Sequence, residues 1–273
     1  MISSISVVIP FYHAEEFFEE TLNSVLNQTI PVDEIIVVND GCGKSTESYL
    51  ANFPDVTVIN LLQNQGPSIA RNNGIKAAKY EWIAFLDADD IWAPNKIELQ
   101  IKFLTQNPQF SACHTGVETF NSAGKINQFT DKPFDLAIED LLVSSHVTPP
   151  SLLIKKSTLA NVDFFDDTMT CSEDHDLSMR ILLAEHRIGF LNKVLTRVRR
   201  MNHGNISSNG RRTFFGHRQL MKKHCAIFNA HPELKHQFMY KTCMTAGSKS
   251  KGIEQKLYYF AGHIISFFFN VKD

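Results

Sequence analysis

The sequence has no apolar run long enough to cross a bilayer as a helix, which needs roughly 20 residues. Its longest candidate, LYYFAGHIISFFF from Leu257 to Phe269, spans thirteen residues between Lys256 and Lys272. That stretch reads either as a helix packed on the body or another subunit, or as an interfacial helix with its aromatics at a lipid boundary. A basic start followed by a long apolar stretch is also missing. The opening MISSISVVIPFYH therefore reads as a strand that begins the fold, not as a signal peptide. The five cysteines are scattered, odd in number and without CxxC spacing, which argues against a disulfide framework or a thiolate zinc site and suits a reducing cytosol. Positive charge is not in excess either: the net charge of -2 argues against a broad nucleic-acid surface.

One motif is only half present. GCGKST, from Gly41 to Thr46, is how a phosphate-binding P-loop ends. The pattern GxxxxGK[ST] needs its first glycine where this chain has Val38, inside an apolar strand. A β-branched residue there cannot take the open loop conformation. IAFLD, from Ile83 to Asp87, resembles a Walker B strand and keeps a P-loop-like NTPase as a rival reading.

With 273 residues, 43% hydrophobic and 21% charged, the chain has the make-up of a globular enzyme. Its first half alternates short β-branched runs (Ile5 to Ile9, Glu34 to Val38, Val56 to Leu61, Trp82 to Leu86) with helical spacings (Glu15 to Asn27, Lys44 to Phe53, Pro67 to Lys79). That rhythm predicts an α/β fold with a doubly wound, mostly parallel sheet. Beyond Asp90 it changes. A helix is predicted over Lys96 to Gln106, strands over Phe110 to Phe120, Lys125 to Phe129 and Ser151 to Ile154, and a helix over Glu173 to His186. From Arg211 onward the pattern is helical.

Ligands of such sheets bind at the carboxyl ends of the strands. Three acidic groups fall there: Asp40 closing EIIVVND, Asp87-Ala88-Asp89-Asp90 closing WIAFLDADD, and Glu173-Asp174 in CSEDHDLSMR. If the backbone stays extended, Asp87 and Asp89 point the same way and could share a cation. A hard cation on a diphosphate substrate uses only one or two protein carboxylates. The plainer alternatives are a solvated acidic turn, and a capping box at Thr170-x-x-Glu173. In Arg71-Asn72-Asn73-Gly74, the asparagines and glycine are poor helix formers, a costly choice that suggests a site.

These segments, VVIPFYHAEEFFEETLNSVLNQT, EIIVVNDG, GPSIARNNGI, WIAFLDADD and SEDHDL, resemble in order and spacing the family 2 glycosyltransferases, over about residues 4–208. The resemblance implies an inverting enzyme of GT-A fold that uses a nucleotide-sugar donor. Pro10 and Tyr12 would line the base pocket, Asp40 would accept from the base, typically uracil, and Arg71 would stand near the donor. Asp87 would contact ribose or sugar, and Asp89 would ligate Mn2+ or Mg2+. Asp90 would support Asp89 from behind. Asp174 would be the catalytic base with Glu173 beside it, and His203 would reach the diphosphate or its metal. Two departures stand out: the loop after Asp40 reads DGCGKS rather than DGSxD, and His175 takes a position often aromatic, on the acceptor side.

The expected division is a catalytic domain over residues 1–210, with a nucleotide-binding half to about 92 and an acceptor half from about 93, then a helical extension over 211–273. The expected partners are a nucleotide-sugar, UDP-linked by preference, and a hydroxyl of a glycan or lipid-linked saccharide in surface polysaccharide or glycoconjugate synthesis. Self-association and membrane contact through 254–270 are further expectations, for a cytoplasmic protein at the inner membrane face. The other rival reading is a catalytically silent nucleotide-sugar-binding assembly subunit.

Overall fold

The computed structural model describes residues 4–200, 209–269 and 271. The first half builds β1 (Ile5–Phe11), α1 (Glu15–Leu26), β2 (Glu34–Asn39), α2 (Lys44–Leu50), β3 (Thr57–Asn60), α3 (Pro67–Ala77) and β4 (Trp82–Phe85). β2 and β4 flank β1 in parallel, and β3 pairs in parallel with β2. The strands read as unbroken apolar runs because both faces are covered. Val8, Ile36 and Val38 enter one core with α3, while Val7, Ile9, Ile35 and Val37 enter the other with Phe18, Leu22 and Val25 of α1. The parallel strands end at one edge, which brings the residues after Phe11, Asn39 and Phe85 together.

The second half adds β5 (Ile91–Trp92), α4 (Lys96–Gln106), β6 (Ala112–Asn121), β7 (Gly124–Phe129), α5 (Ile138–Leu141), β8 (Leu153–Lys155), α6 (Lys156–Asn161), α7 (Glu173–Leu183) and β9 (Ile188–Arg199). The sheet runs β3-β2-β1-β4-β8-β6-β9-β5, with β7 paired to β6. It is parallel through the first four strands and mixed beyond: β8 is antiparallel to β4 and β6, while β6 and β9 run parallel. Pro149–Ser151 forms a 3-10 turn before β8, where a strand beginning at Ser151 was expected.

Four helices follow: α8 (Gly210–Lys223), α9 (Cys225–Ala230), α10 (Pro232–Ser248) and α11 (Gly252–Phe269). α8 and α10 meet through small residues, since a Cβ on Gly210 would lie 2.3 Å from the Ala246 carbonyl oxygen. α11 folds back along α10, with Tyr259 against Gly247 and Gly262 against Cys243 and Met244.

The extension is fastened to the segment that leads into α7. Arg212 Nε donates to the Thr170 carbonyl at 2.7 Å, Gln219 Nε2 donates to the Thr168 carbonyl at 2.8 Å, and Lys223 pairs with Asp166. Inside this joint Asp176, fully buried, receives His224 at 2.8 Å, Arg180 at 2.8 Å and Lys223 at 2.9 Å. Burial pushes its carboxyl upward, but the bond to His224, with Arg180 and Lys223, outweighs it and holds the group well below the usual carboxylate range. A depressed pKa contributes stability that is present above the unfolded value, about 3.9, and is lost as pH falls below it. Asp176→Ala would leave Arg180 and His224 without their buried carboxylate partner and is expected to destabilise by about 3–5 kcal/mol. Urea denaturation at neutral pH and again near pH 3 checks this, the deficit shrinking at the lower pH.

Candidate active site

Asp40 follows β2 and is 3% exposed. Its two carboxylate oxygens accept the backbone N–H groups of Gln65 at 2.8 Å and Gly66 at 2.9 Å, so the loop entering α3 is tied to the end of β2. A carboxylate oxygen has more than one lone-pair site, which leaves acceptor capacity for a ligand. Gly41 takes φ +73, and a Cβ there would lie 2.2 Å from the Gln63 carbonyl carbon; that close approach is why the residue is glycine. Pro10 lies in β1 beside Val38, and Tyr12, just past β1, is 53% exposed at the same edge. The NTPase reading is overturned here. Val38 is buried in β2, and Lys44 is the exposed first residue of α2, with no phosphate-wrapping loop before it.

The Asp87–Asp90 segment corrects the expectation of extended backbone. β4 ends at Phe85, and the Asp90 N–H bonds the Asp87 carbonyl at 3.0 Å, closing a turn that removes the two-residue alternation. Asp87 binds Arg71 Nη2 at 2.7 Å. Asp90 is buried and accepts the Arg199 N–H at 2.8 Å, holding the turn against β9 as a supporting residue. Burial, with the charges of Asp87 and Asp89, pushes the Asp90 carboxyl well above its ordinary value. Burial and then Asp87 push Asp89 up to about 6, against smaller opposing pulls that include Arg199 and Arg200.

Arg71 joins the two acidic motifs. Its side chain is 5% exposed, and its other fork nitrogen reaches Glu173 at 3.2 Å. Burial works against its charge, but Asp87 and Glu173 outweigh that and raise its pKa. The polar residues after it have structural duties. The Asn72 amide closes two bonds on the Phe165 backbone, at 2.8 and 3.0 Å, and a Cβ on Gly74 would lie 2.3 Å from Val8 Cγ1. Packing and clamping therefore explain the poor helix formers beside Arg71.

α7 starts at Glu173 from Ser172, which sits at φ 65 with no side-chain cap, so the plainer alternative of a capping box at Thr170 does not hold. Asp174 is half-buried, and its carboxylate accepts the His175 N–H at 2.7 Å. Burial and then Glu173 push it up to about 7, while Arg71 pulls the other way. His175 is buried, its Nε2 2.6 Å from the Leu141 carbonyl, and burial lowers it to about 4. It lines a cavity of about 290 Å³ with His217, Phe238, Lys241 and Thr242, between α7 and the extension. His203 lies outside the described residues.

Sequence reading missed two contributors. Arg199 anchors the acidic turn through the Asp89 carbonyl and Asp90, and its signal was an arginine at the end of a long strand. Lys132 has its pKa lowered to about 8, chiefly by burial, with Asp174 opposing. Nothing in its local sequence marks it.

Asp40 after β2, the Asp87–Asp90 turn after β4 and Asp174 at the start of α7 are thus gathered at one end of the sheet. Residues 6–160 match the pattern described as Glycosyl transferase family 2. The chain belongs to that family and is a glycosyltransferase. It is 26% identical over 229 residues to TuaG of Bacillus subtilis (strain 168), named for teichuronic acid biosynthesis, covering 81% of this chain and 89% of that one. It is 30% identical over 209 residues to WfgD of Escherichia coli, a UDP-Glc:alpha-D-GlcNAc-diphosphoundecaprenol beta-1,3-glucosyltransferase, covering 75% and 80%. It spans only 29% of the length of a relative from Rickettsia bellii. Among solved structures, S. aureus TarS 1–349 in complex with UDP-GlcNAc superposes with a TM-score of 0.74 at 20% identity, over 95% of this chain and 79% of that one. That likeness shows the GT-A fold.

Proposed function

We propose that the chain transfers a sugar from a UDP-sugar to a hydroxyl of a saccharide acceptor, lipid-linked by preference, in surface polysaccharide synthesis, with inversion at the anomeric carbon. The observation that carries this is Arg71 bridging Asp87 and Glu173, which holds the acidic turn and the start of α7 on either side of one guanidinium. The UDP-sugar in the TarS structure and the substrates in the WfgD name support the donor and acceptor classes.

In this reading Asp40 accepts from the base, with Pro10 and Tyr12 beside the ring, and Asp87, held by Arg71, meets the ribose or sugar. Asp174 takes the proton of the acceptor hydroxyl as that oxygen attacks the anomeric carbon from the face opposite the diphosphate. The C–O bond to the acceptor forms as the bond to the diphosphate breaks, and no enzyme-bound intermediate is needed. His175, whose N–H fixes one Asp174 oxygen, sets the direction of the base.

The residues fit a divalent cation at Asp89. No ion pair engages that carboxylate among the described residues, and burial beside Asp87 outweighs the pull of Arg199 and Arg200 on it. A hard cation on a diphosphate substrate takes only one or two protein carboxylates, and Asp89 would supply one. A bound Mn2+ or Mg2+ would supply charge neutralisation on the leaving diphosphate. Asp89→Ala is expected to abolish metal-dependent UDP binding. Calorimetry of UDP with and without Mn2+ checks it, and equal affinity in wild type and variant would remove Asp89 from the role. A thermal-shift screen of nucleotide diphosphate sugars tests the donor. A shift of several degrees with UDP-sugars is expected, and no shift with any donor would overturn the reading.

A further inference from the structure

The chain's charge is divided unevenly. Residues 209–273 carry eleven Lys and Arg against three Asp and Glu, a balance of +8, although the whole chain is at -2. The body therefore stands at -10, and the helical extension is a strongly cationic appendage to an acidic domain.

Two surface features lie on that appendage. α11 packs through Tyr259 and Gly262 onto α10, and its opposite side carries Ile253, Leu257, Phe260, Ile264, Phe267 and Phe268 in steps of three and four residues. These side chains are outward: Ile253 is 79% exposed, Phe260 66%, Phe267 83% and Phe268 72%. Lys251 and Lys256 are also exposed beside them. The second feature is a stripe on α8, with Arg211, Phe215, Arg218 and Lys222 at positions i, i+4, i+7 and i+11. Phe214, next to this stripe, meets Tyr258 of α11 at 5.0 Å, so the two helices are neighbours on the appendage. The stripe borders a cavity of about 630 Å³ that also takes in Met221, Phe228 and Lys235, and no carboxylate lines it. Arg218 and Lys222 have no ion-pair partner among the described residues.

We infer that the extension docks on an anionic lipid surface, with the outer side of α11 in the headgroup boundary and the α8 cations on lipid phosphates. Charge selects this occupant. A second copy laid on the same side would bring two +8 appendages together, whereas an anionic leaflet neutralises the α8 cations and takes up the apolar side of α11. No helix among the described residues is long and apolar enough to cross a membrane, so α11 would lie in the surface plane. The acidic body would be repelled from the same leaflet, and this fixes orientation. Because α8 is bonded to residues 168–170, just before Glu173 and Asp174, the start of α7 would lie towards the lipid.

The test is co-sedimentation of the full chain with two kinds of vesicle, phosphatidylcholine alone and phosphatidylglycerol with phosphatidylethanolamine. Wild type is compared with the double variants Phe260→Glu/Phe267→Glu and Arg218→Glu/Lys222→Glu. Binding to the anionic vesicles is expected to be at least about 10-fold tighter than to the neutral ones, to weaken with salt, and to fall about 10-fold or more in each variant. All four substituted side chains are surface groups, so an unchanged thermal midpoint and UDP affinity should show that the variants fold. Binding that ignores lipid charge, or that both variants retain, would overturn the inference. So would a wild-type dimer in light scattering that Phe260→Glu/Phe267→Glu turns monomeric while vesicles go unbound. The readout involves no transfer, so turnover without vesicle binding overturns this inference alone, and vesicle binding without turnover overturns only the proposed reaction.

Discussion

Asp174→Asn is expected to slow sugar transfer by about 10²–10⁴-fold, the usual contribution of a positioned general base, with little change in UDP affinity. The amide keeps the shape and can still accept the His175 N–H, but it cannot take a proton from the acceptor. The same substitution should stabilise the protein at high pH. Burial and Glu173 raise the Asp174 carboxyl to about 7, so the folded state favours the neutral acid over the carboxylate. A raised carboxyl pKa gives stability that is full below the unfolded value, about 3.9, and lost as pH rises to about 7. The neutral amide carries no such charge cost, so the thermal midpoint of the variant should exceed wild type at pH 8 and match it more closely near pH 4. Wild-type kcat should fall as pH drops below about 7, where the base becomes protonated. Near-normal turnover in the variant, or a flat pH profile in wild type, would remove Asp174 from the role.

That combination, a group that lowers stability where it is needed for chemistry, separates a working site from a structural ion pair. Asp176, two residues on, is the contrast. It is fully buried, but Arg180, Lys223 and a hydrogen bond with His224 hold it ionised, and it strengthens the joint with the extension. Sequence spacing could not tell these two aspartates apart. What decides is the set of partners each meets across the fold, and His224 lies 48 residues away from the carboxylate it binds.

The parallel half of the sheet was legible because its strands are buried on both faces and punctuated by helices with a clear period. The far half was harder to read. β5 is two residues long, and α5 and α6 are four and six, too short to show any period. β8 enters the sheet between β4 and β6 from more than thirty residues further along, a pairing that no local pattern encodes. At the site, the residue types at the strand ends were readable as a set, whereas the turn at Asp87 and the Ser172 start of α7 were not. Both depend on which backbone groups the neighbouring elements leave to be bonded. Beside Arg71, poor helix propensity suggested a site, and Asn72 and Gly74 have structural duties of their own, clamping Phe165 and letting Val8 come close.

In the proposed reaction Arg71 couples fold to chemistry, and its loss is expected to be the most damaging single change outside the proposed base. Arg71→Leu would leave Asp87 and Glu173 without their shared cation. Breaking a buried pair in this way costs about 3–5 kcal/mol. Asp87 keeps 33% of its side chain in solvent, so the lower end of that range applies. The second effect is on geometry. Without the bridge, the acidic turn and the start of α7 are no longer held at one spacing, and kcat/KM is expected to fall by about 10²–10³-fold, as misplacement of reacting groups does. Arg71→Lys should recover part of the stability and little of the rate, because a single ammonium cannot reach both carboxylates as the planar fork does. Double-mutant cycles of Arg71→Leu with Glu173→Gln and with Asp87→Asn would divide the effect between the two arms. Coupling in the rate through both carboxylates identifies Arg71 as a positioning residue that sets the distance between donor and base. Coupling in stability alone, with kcat/KM unaffected, would reduce it to an ordinary buried ion pair.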